Sequence, residues 1–483
     1  MKTRFQNACI VPARARAIAI LAVMAAAFSM PAFIKPSAAE DGLLANQSKS
    51  EYRARRQKLM GQIKDGIVVF VGAREEDFGE VGRFRQKNDI MYLTGVETPA
   101  AYFMLIPAGL LPDKAAREIV FIPPRNPRRE QWTGIQVGPG SEGQQKFGIQ
   151  EVASSADFYK RLFDILAAPP FKSEDSSARA RLYTIVPGGP NATTLRENLF
   201  VERLRKEAPH VQIEDVSPIL GELRKIKSAA EIALLQKAID ITGEAQRDVA
   251  RTIKPGVYEY EVQAALEYAF ARNGAERPGF PSIVGSGFYS TILHYNENRK
   301  RIEAGDLIVV DVGAEYSYYT ADITRTYPAS GKFTPRQREI YRLVLDAQRA
   351  CEEAFKPGES TMGHLTQVAR RVMRESPLRD KQGNTLDRYF IHGLGHWIGM
   401  DVHDVGSYAP PLPPNSVITI EPGIYIPEEK LGVRIEDDYL VTDKGLIKMS
   451  SPIPSDPDEI ERLMSSGAQA KPPSSSSKGR NNR

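Results

Sequence analysis

The chain has 483 residues, 42% hydrophobic and 26% charged, a profile that fits a soluble globular protein of two or three domains. Its net charge of +4 sits at the ends: residues 1–39 carry five basic and no acidic residues, and the stretch from Ser466 carries four more basic ones, which leaves the body at about −5. A mildly acidic body has no electrostatic footprint for nucleic acid, and that class of partner is excluded.

Residues 1–39 read as an export signal. A basic stretch ending at Arg16 precedes the uncharged run Ala17–Ile34, and "SAAED" offers small residues for cleavage after Ala39. An uncleaved anchor and an organelle transit peptide are the alternatives; Pro31 and the Ala-rich run argue against the anchor. Cleavage predicts a secreted or periplasmic protein with no stable membrane span. Cys9 lies in this leader, so Cys351 is alone in the mature chain, and an intrachain disulfide and a Cys₂-type metal site are excluded. Cys351 falls in a helical pattern as a small apolar filler.

From 50 to 217, short apolar runs ("GIVVFVG", "YFMLIP", "EIVFIPP", "LYTIVPGG") alternate with polar helical stretches, which predicts a small α/β domain. A second domain, 225–463, opens with a helix capped by Ser228 and Glu231. Thr334, Pro335 and Gln337 cap another helix, expected to run to about Phe355. Gly- and Pro-bounded apolar strands lie between and after these helices, so this domain is α+β. The tail 466–483 is low-complexity and predicted to be disordered.

The strand "DLIVVDVG" delivers Asp311 after four apolar residues, and "YSYYTADITRTY" delivers Asp322. A turn centred on Tyr316–Ser317 predicts a hairpin with the two aspartates directly opposite, about 5 Å apart at Cβ. Carboxylates that close repel, and one takes up a proton unless a cation lies between them. Downstream, "SVITIEPGIYIP" ends a strand with Glu421, and "GVRIEDDYLV" presents Arg434, Glu436 and Asp438 on one face. "DLIVVDVG" and "SVITIEPG" look alike, a faint internal repeat. It predicts two related halves, each contributing one carboxylate hairpin to a shared centre. Three of the chain's six histidines fall in "HGLGHWIGMDVHDVG". His396, added to the four acids, gives one nitrogen and up to eight carboxylate oxygens. That inventory suits two divalent ions about 3.5–4 Å apart, with Mn²⁺, Co²⁺, Fe²⁺ and Zn²⁺ all open. "GLGHWIG" imitates a dinucleotide fingerprint but opens no βαβ unit.

The motifs "DVGAEYSYYTADITRT", "HGLGHWIGMDVHDVG", "TIEPGIY" and "VRIEDD" together resemble the pita-bread metallopeptidase family, over about 225–450. "SEYRARRQKLM", "RFRQKNDIMYLTG" and "REQWTGIQVG" resemble the N-terminal domain of its Xaa-Pro aminopeptidase members. The resemblance implies a pita-bread fold of two halves, preceded by a smaller α/β domain. It also implies that Asp311, Asp322, His396, Glu421 and Glu436 hold two metal ions, most simply Mn²⁺, with Asp322 and Glu436 bridging. His294 and His403 match substrate-binding histidines. His392, Arg434 and Tyr425 match positions that line the proline pocket or support the metal residues. Phe280 departs from the pattern, because some bacterial relatives carry tyrosine there.

The expected reaction is release of an N-terminal residue from a peptide with proline second, with Glu421 moving the proton and His294 and His403 holding the substrate carbonyl. A prolidase cutting Xaa-Pro dipeptides is the alternative, and a metal-free pita-bread hydrolase or binding module the remoter one. A homodimer or homotetramer is expected from the family.

Overall fold

The computed structural model describes residues 47–78, 83–173, 179–188 and 196–467. The predicted leader lies outside these residues, as does the tail beyond Gly467. The last helix, Pro457–Gly467, extends two residues into the stretch expected to be disordered. Among the described residues, no helix is long and apolar enough to cross a membrane.

The first region is built on a six-stranded mixed sheet: β1 (Gly66–Val71), β2 (Tyr102–Ile106), β3 (Arg117–Ile122), β4 (Glu151–Ser154), β5 (Arg181–Thr184) and β6 (Gln212–Asp215). The order is β4-β3-β2-β1-β5-β6. All four apolar runs singled out in the sequence are strands. They read as continuous hydrophobic stretches because both faces of the sheet are covered. Ile67 and Val69 pack into one core, and Val68 and Phe70 into another. That second core also contains Leu234, Tyr318 and Ile398, so it welds the first region to the second.

The second region repeats one plan: two antiparallel helices followed by strands. Helices Ala229–Thr252 and Glu259–Arg272 precede β7 (Arg277–Pro278), β8 (Ile283–Ser286), β9 (Leu307–Val312), β10 (Ala314–Tyr316), β11 (Tyr319–Thr320) and β12 (Ile323–Pro328). Helices Pro335–Ala354 and Met362–Glu375 precede β13 (Val417–Ile420), β14 (Gly423–Ile426), β15 (Leu431–Arg434), β16 (Asp437–Thr442) and β17 (Gly445–Lys448). Both capping boxes form, and the second helix ends at Ala354 with Phe355 as its cap. Cys351 is fully buried, its thiol pushed up to about 12 by burial, as a filler residue should be.

The first hairpin corrects the expected register. Tyr316 pairs with Tyr319, so the turn centres on Ser317–Tyr318, and Asp311 faces Thr324 rather than Asp322. Asp322 is the diagonal neighbour, two residues away on the same face. The turn is displaced because Ser317 and Tyr318 both adopt positive φ, 49° and 72°, a conformation that hairpin turns usually reserve for Gly or Asn. The first region holds it there: the Tyr318 hydroxyl accepts from the Gln86 amide at 2.9 Å and donates to Glu97 at 2.8 Å.

The internal repeat is real, but its two halves are not chemically matched. The pairs Ile420↔Asp437 and Gly423↔Arg434 put Glu421 across from Glu436, as Asp311 is across from Thr324. Glu436 therefore corresponds to Thr324, and Arg434 to Asp322. Each half supplies two acids, from different positions of the shared plan.

Candidate metal centre

The two hairpins bring their acids to one cavity of about 460 Å³, lined by Asp311, Asp322, His396, Glu421 and Glu436. Asp322, His396 and Glu436 each offer a donor atom within 4.8 Å of the others. His396 Nε2 lies 3.5 Å from Asp322 Oδ2 and 3.3 Å from Glu421 Oε1. The Arg434 guanidinium donates to Asp311 Oδ2 at 2.6 Å, and Thr324 Oγ1 donates to Glu436 Oε2 at 2.6 Å.

Glycine explains how His396 gets there. Residues 394–398 run antiparallel along β13: Glu421 N bonds to Leu394 O, Thr419 N to His396 O, and Ile398 N to Val417 O. A Cβ on Gly395 would sit 2.1 Å from Thr419 O, so only glycine allows this approach. Thr419 Oγ1 accepts from the His396 amide and reaches Glu421 Oε1 at 3.3 Å, tying the imidazole loop to the acid strand.

Electrostatics show what this set requires. Burial, then Glu436, Asp311 and Glu421, push the Asp322 carboxyl far above the usual range. Burial and the neighbouring acids do the same to Glu436, and burial raises Glu421 to about 8. Burial lowers His396 to about 4, so its imidazole is neutral. Its Nδ1–H donates to Trp397 O at 3.0 Å, which leaves the Nε2 lone pair facing two carboxylates. Asp311 Oδ1 and Asp322 Oδ1 are buried without a hydrogen-bond partner. A neutral imidazole lone pair, crowded acids and orphaned oxygens all lack the same thing, positive charge between them. The donor set fits divalent metal ions.

The predicted substrate residues are placed around this set. His294 and His403 are both exposed on the cavity wall. Their rings are 6.4 Å apart, and the His403 ring packs edge-on to His396 at 4.3 Å. Arg434, Tyr425 and His392 form a chain: Arg434 Nη1 donates to Tyr425 Oη at 3.0 Å, and that hydroxyl lies 2.9 Å from His392 Nε2. His392 Nδ1 donates to Gly393 O, so Nε2 accepts the tyrosine proton. Phe280 lines the same wall. Outside the site, His210 is half-buried with Nε2 on Leu166 O at 2.8 Å.

Sequence reasoning missed Thr324, and put Asp438 on the face of Glu436 without giving it a role. Thr324 Oγ1 also accepts from Arg434 Nε at 3.1 Å, and so joins Arg434 to Glu436. Asp438 Oδ2 accepts from the Asp322 amide at 3.2 Å. Strand alternation in "GVRIEDDYLV" was the signal for Asp438; nothing marked Thr324.

Comparison with known proteins places this geometry. Residues 233–443 match metallopeptidase family M24, and residues 52–171 match the aminopeptidase P N-terminal domain. The chain is 33% identical to the Xaa-Pro aminopeptidase of Escherichia coli, over 86% of this chain and 98% of that one. The chain belongs to the aminopeptidase P group of family M24. Human Xaa-Pro aminopeptidase 3 is 32% identical, over 91% of this chain and 89% of its own. A zinc-substituted E. coli aminopeptidase P in complex with product superposes with a TM-score of 0.76 at 31% identity, covering 88% of this chain and 99% of that one. Proline aminopeptidase P II from Yersinia pestis gives 0.75 at 31%, covering 87% and 100%. As a family M24 metallopeptidase, the protein is a metal-dependent exopeptidase with a divalent-metal site.

Proposed function

We propose that the protein hydrolyses the bond between an N-terminal residue and a following proline, as the names of its relatives describe for them. The observation that carries this reading is the convergence of four carboxylates and one neutral imidazole on a single cavity, with two further histidines on its wall. Two divalent ions held by Asp311, Asp322, His396, Glu421 and Glu436 would supply an activated water and polarise the scissile carbonyl. Mn²⁺ is the proposed metal, because the donor set is oxygen-rich with one imidazole.

The chain's own groups supply the rest. An Xaa-Pro bond has no N–H for an enzyme to grip, so the handles are the free α-amine, the carbonyl and the ring. Asp311, held by Arg434, meets the amine. His294 and His403 donate to the carbonyl oxygen and border the proline. Glu421 takes the proton from the attacking water at its carboxylate and returns it to the proline nitrogen. His392, held by Tyr425, closes the cavity beside Glu421, its Nδ1 3.8 Å from Glu421 Oε2.

The basic leader, its uncharged run and the small residues before Glu40 support export and action on peptides outside the cytoplasm. A homodimer is the proposed assembly. Metal-stripped protein, reloaded with single divalent ions and offered Xaa-Pro-Yaa, Xaa-Pro and Xaa-Ala-Yaa peptides, tests the function. Metal-dependent release of the first residue from Xaa-Pro-Yaa is expected. Cleavage confined to the dipeptide would make it a prolidase.

A further inference from the structure

Two glutamines occupy matching places in the two halves, and neither touches the cavity. Gln246, on helix Ala229–Thr252, donates from Nε2 to Val310 O at 3.4 Å and to Ile323 O at 3.0 Å. Gln348, on helix Pro335–Ala354, donates from Nε2 to Ile420 O at 2.9 Å and to Ile435 O at 3.4 Å. Val310 and Ile420 immediately precede Asp311 and Glu421. Ile323 and Ile435 occupy equivalent positions on the returning strands, next to Asp322 and Glu436 respectively. Every acid of the centre is therefore adjacent in sequence to a carbonyl held by one of the two amides.

Both amides are fully buried, and their orientation is set. Tyr327 Oη donates to Gln246 Oε1 at 2.9 Å, and Gln348 Nε2 also donates to Asp437 Oδ2 at 3.0 Å. Each donor end thus points at acceptors and cannot be exchanged for the oxygen. Gln348 Oε1 has no partner, a cost that an apolar side chain of the same volume would avoid.

The two clamps meet the ladders differently. The β13–β16 ladder ends at Ile420↔Asp437, and the β14–β15 ladder begins at Gly423↔Arg434. Between them Pro422 has no N–H to continue the pairing. In the first half Gln246 grips Val310 and Ile323 inside the β9–β12 ladder, and only Asp322, in the gap between β11 and β12, lies outside it. In the second half Glu421 and Glu436 have less strand pairing to fix them, and the Gln348 amide spans that gap from behind, whereas the Gln246 amide braces the paired strands beside Asp311 and Asp322.

We infer that Gln246 and Gln348 are paired positioning residues, each fixing the separation of the two carboxylates on its own hairpin and thereby the affinity and geometry of the metal centre. The inference rests on the reading of the five residues as metal-binding.

Gln246→Met and Gln348→Met keep the length and remove the donors. Metal-stripped protein is titrated with Co²⁺ alone, following heat by calorimetry and the d–d absorption bands, and the melting temperature of each metal-free chain is measured beside it. Each variant is expected to bind Co²⁺ about tenfold more weakly or worse, with altered bands. A purely structural role would lower the melting temperature and leave affinity and bands alone; that result overturns the inference. If a methionine variant does not fold, the corresponding asparagine variant, whose amide is withdrawn by one methylene, is read in its place with the same two outcomes. Failure of the unsubstituted protein to take up Co²⁺ would overturn the metal reading itself, and this inference with it.

Discussion

Arg434 donates to Asp311 at 2.6 Å from the position that, in the other half, belongs to Asp322. One half of the plan places an acid there and the other a base, so the four carboxylates face one buried cation supplied by the chain. Arg434 is fully charged and buried, with Asp311, Tyr425 and Thr324 as its partners.

Removing that cation should be costly. Arg434→Met leaves Asp311 buried beside three other acids with no counter-ion, and breaking a buried pair this way costs about 3–5 kcal/mol. The melting temperature of the metal-free chain should fall, and Arg434→Lys, which keeps the charge without the forked geometry, should recover part of it. Calorimetry on the three chains checks this.

Glu421→Gln removes the group placed to move the proton, and turnover should fall by about 10²–10⁴-fold while the fold survives. Asp322→Asn removes an acid from the crowded centre, and should lower metal content as well as turnover. Peptide hydrolysis combined with elemental analysis of each variant separates the two effects. Near-normal turnover in Glu421→Gln would remove it from the proton path.

The metal-free protein should lose stability as pH rises towards 8. Burial lifts Glu421 from 4.5 to about 8, and Asp322 and Glu436 are lifted as well. A raised acid binds protons more tightly when folded, so its contribution is complete below about 4.5 and is lost as pH climbs through 8. His392 and His396, lowered to about 4, act oppositely, adding stability between 4 and 6.5. The net loss is therefore expected between pH 6.5 and 8. Added Mn²⁺, which favours the ionised acids, should abolish it. Melting curves at pH 6.5 and 8, with and without Mn²⁺, decide the point.

Phe280→Tyr adds a hydroxyl on the cavity wall. With the five metal-binding candidates untouched, kcat/KM should change less than about tenfold, since one added hydrogen bond is worth about 0.5–1.5 kcal/mol. Steady-state kinetics on an Xaa-Pro-Yaa peptide measures it.

Local chemistry made much of this readable. Ser228 with Glu231, and Thr334 with Gln337, announce helix starts because the caps are satisfied within four residues. The five site residues follow strand ends or sit in a glycine loop, so their order alone implied convergence. The hairpin register was not readable, because Ser317 and Tyr318 take a glycine-like turn only with help from Gln86 and Glu97, more than two hundred residues upstream. Gln246 and Gln348 were equally silent: a glutamine inside an amphipathic helix looks the same whether it faces water or a strand end.

The tyrosine at that turn has a consequence for engineering. Two left-handed, non-glycine residues cost of order 1–3 kcal/mol each, and the restraint that offsets them comes from elsewhere in the chain. Excising residues 50–217 to obtain a minimal peptidase would therefore do more than shorten the protein. It would release the spring under Asp322, four residues beyond Tyr318, and let the centre drift out of adjustment.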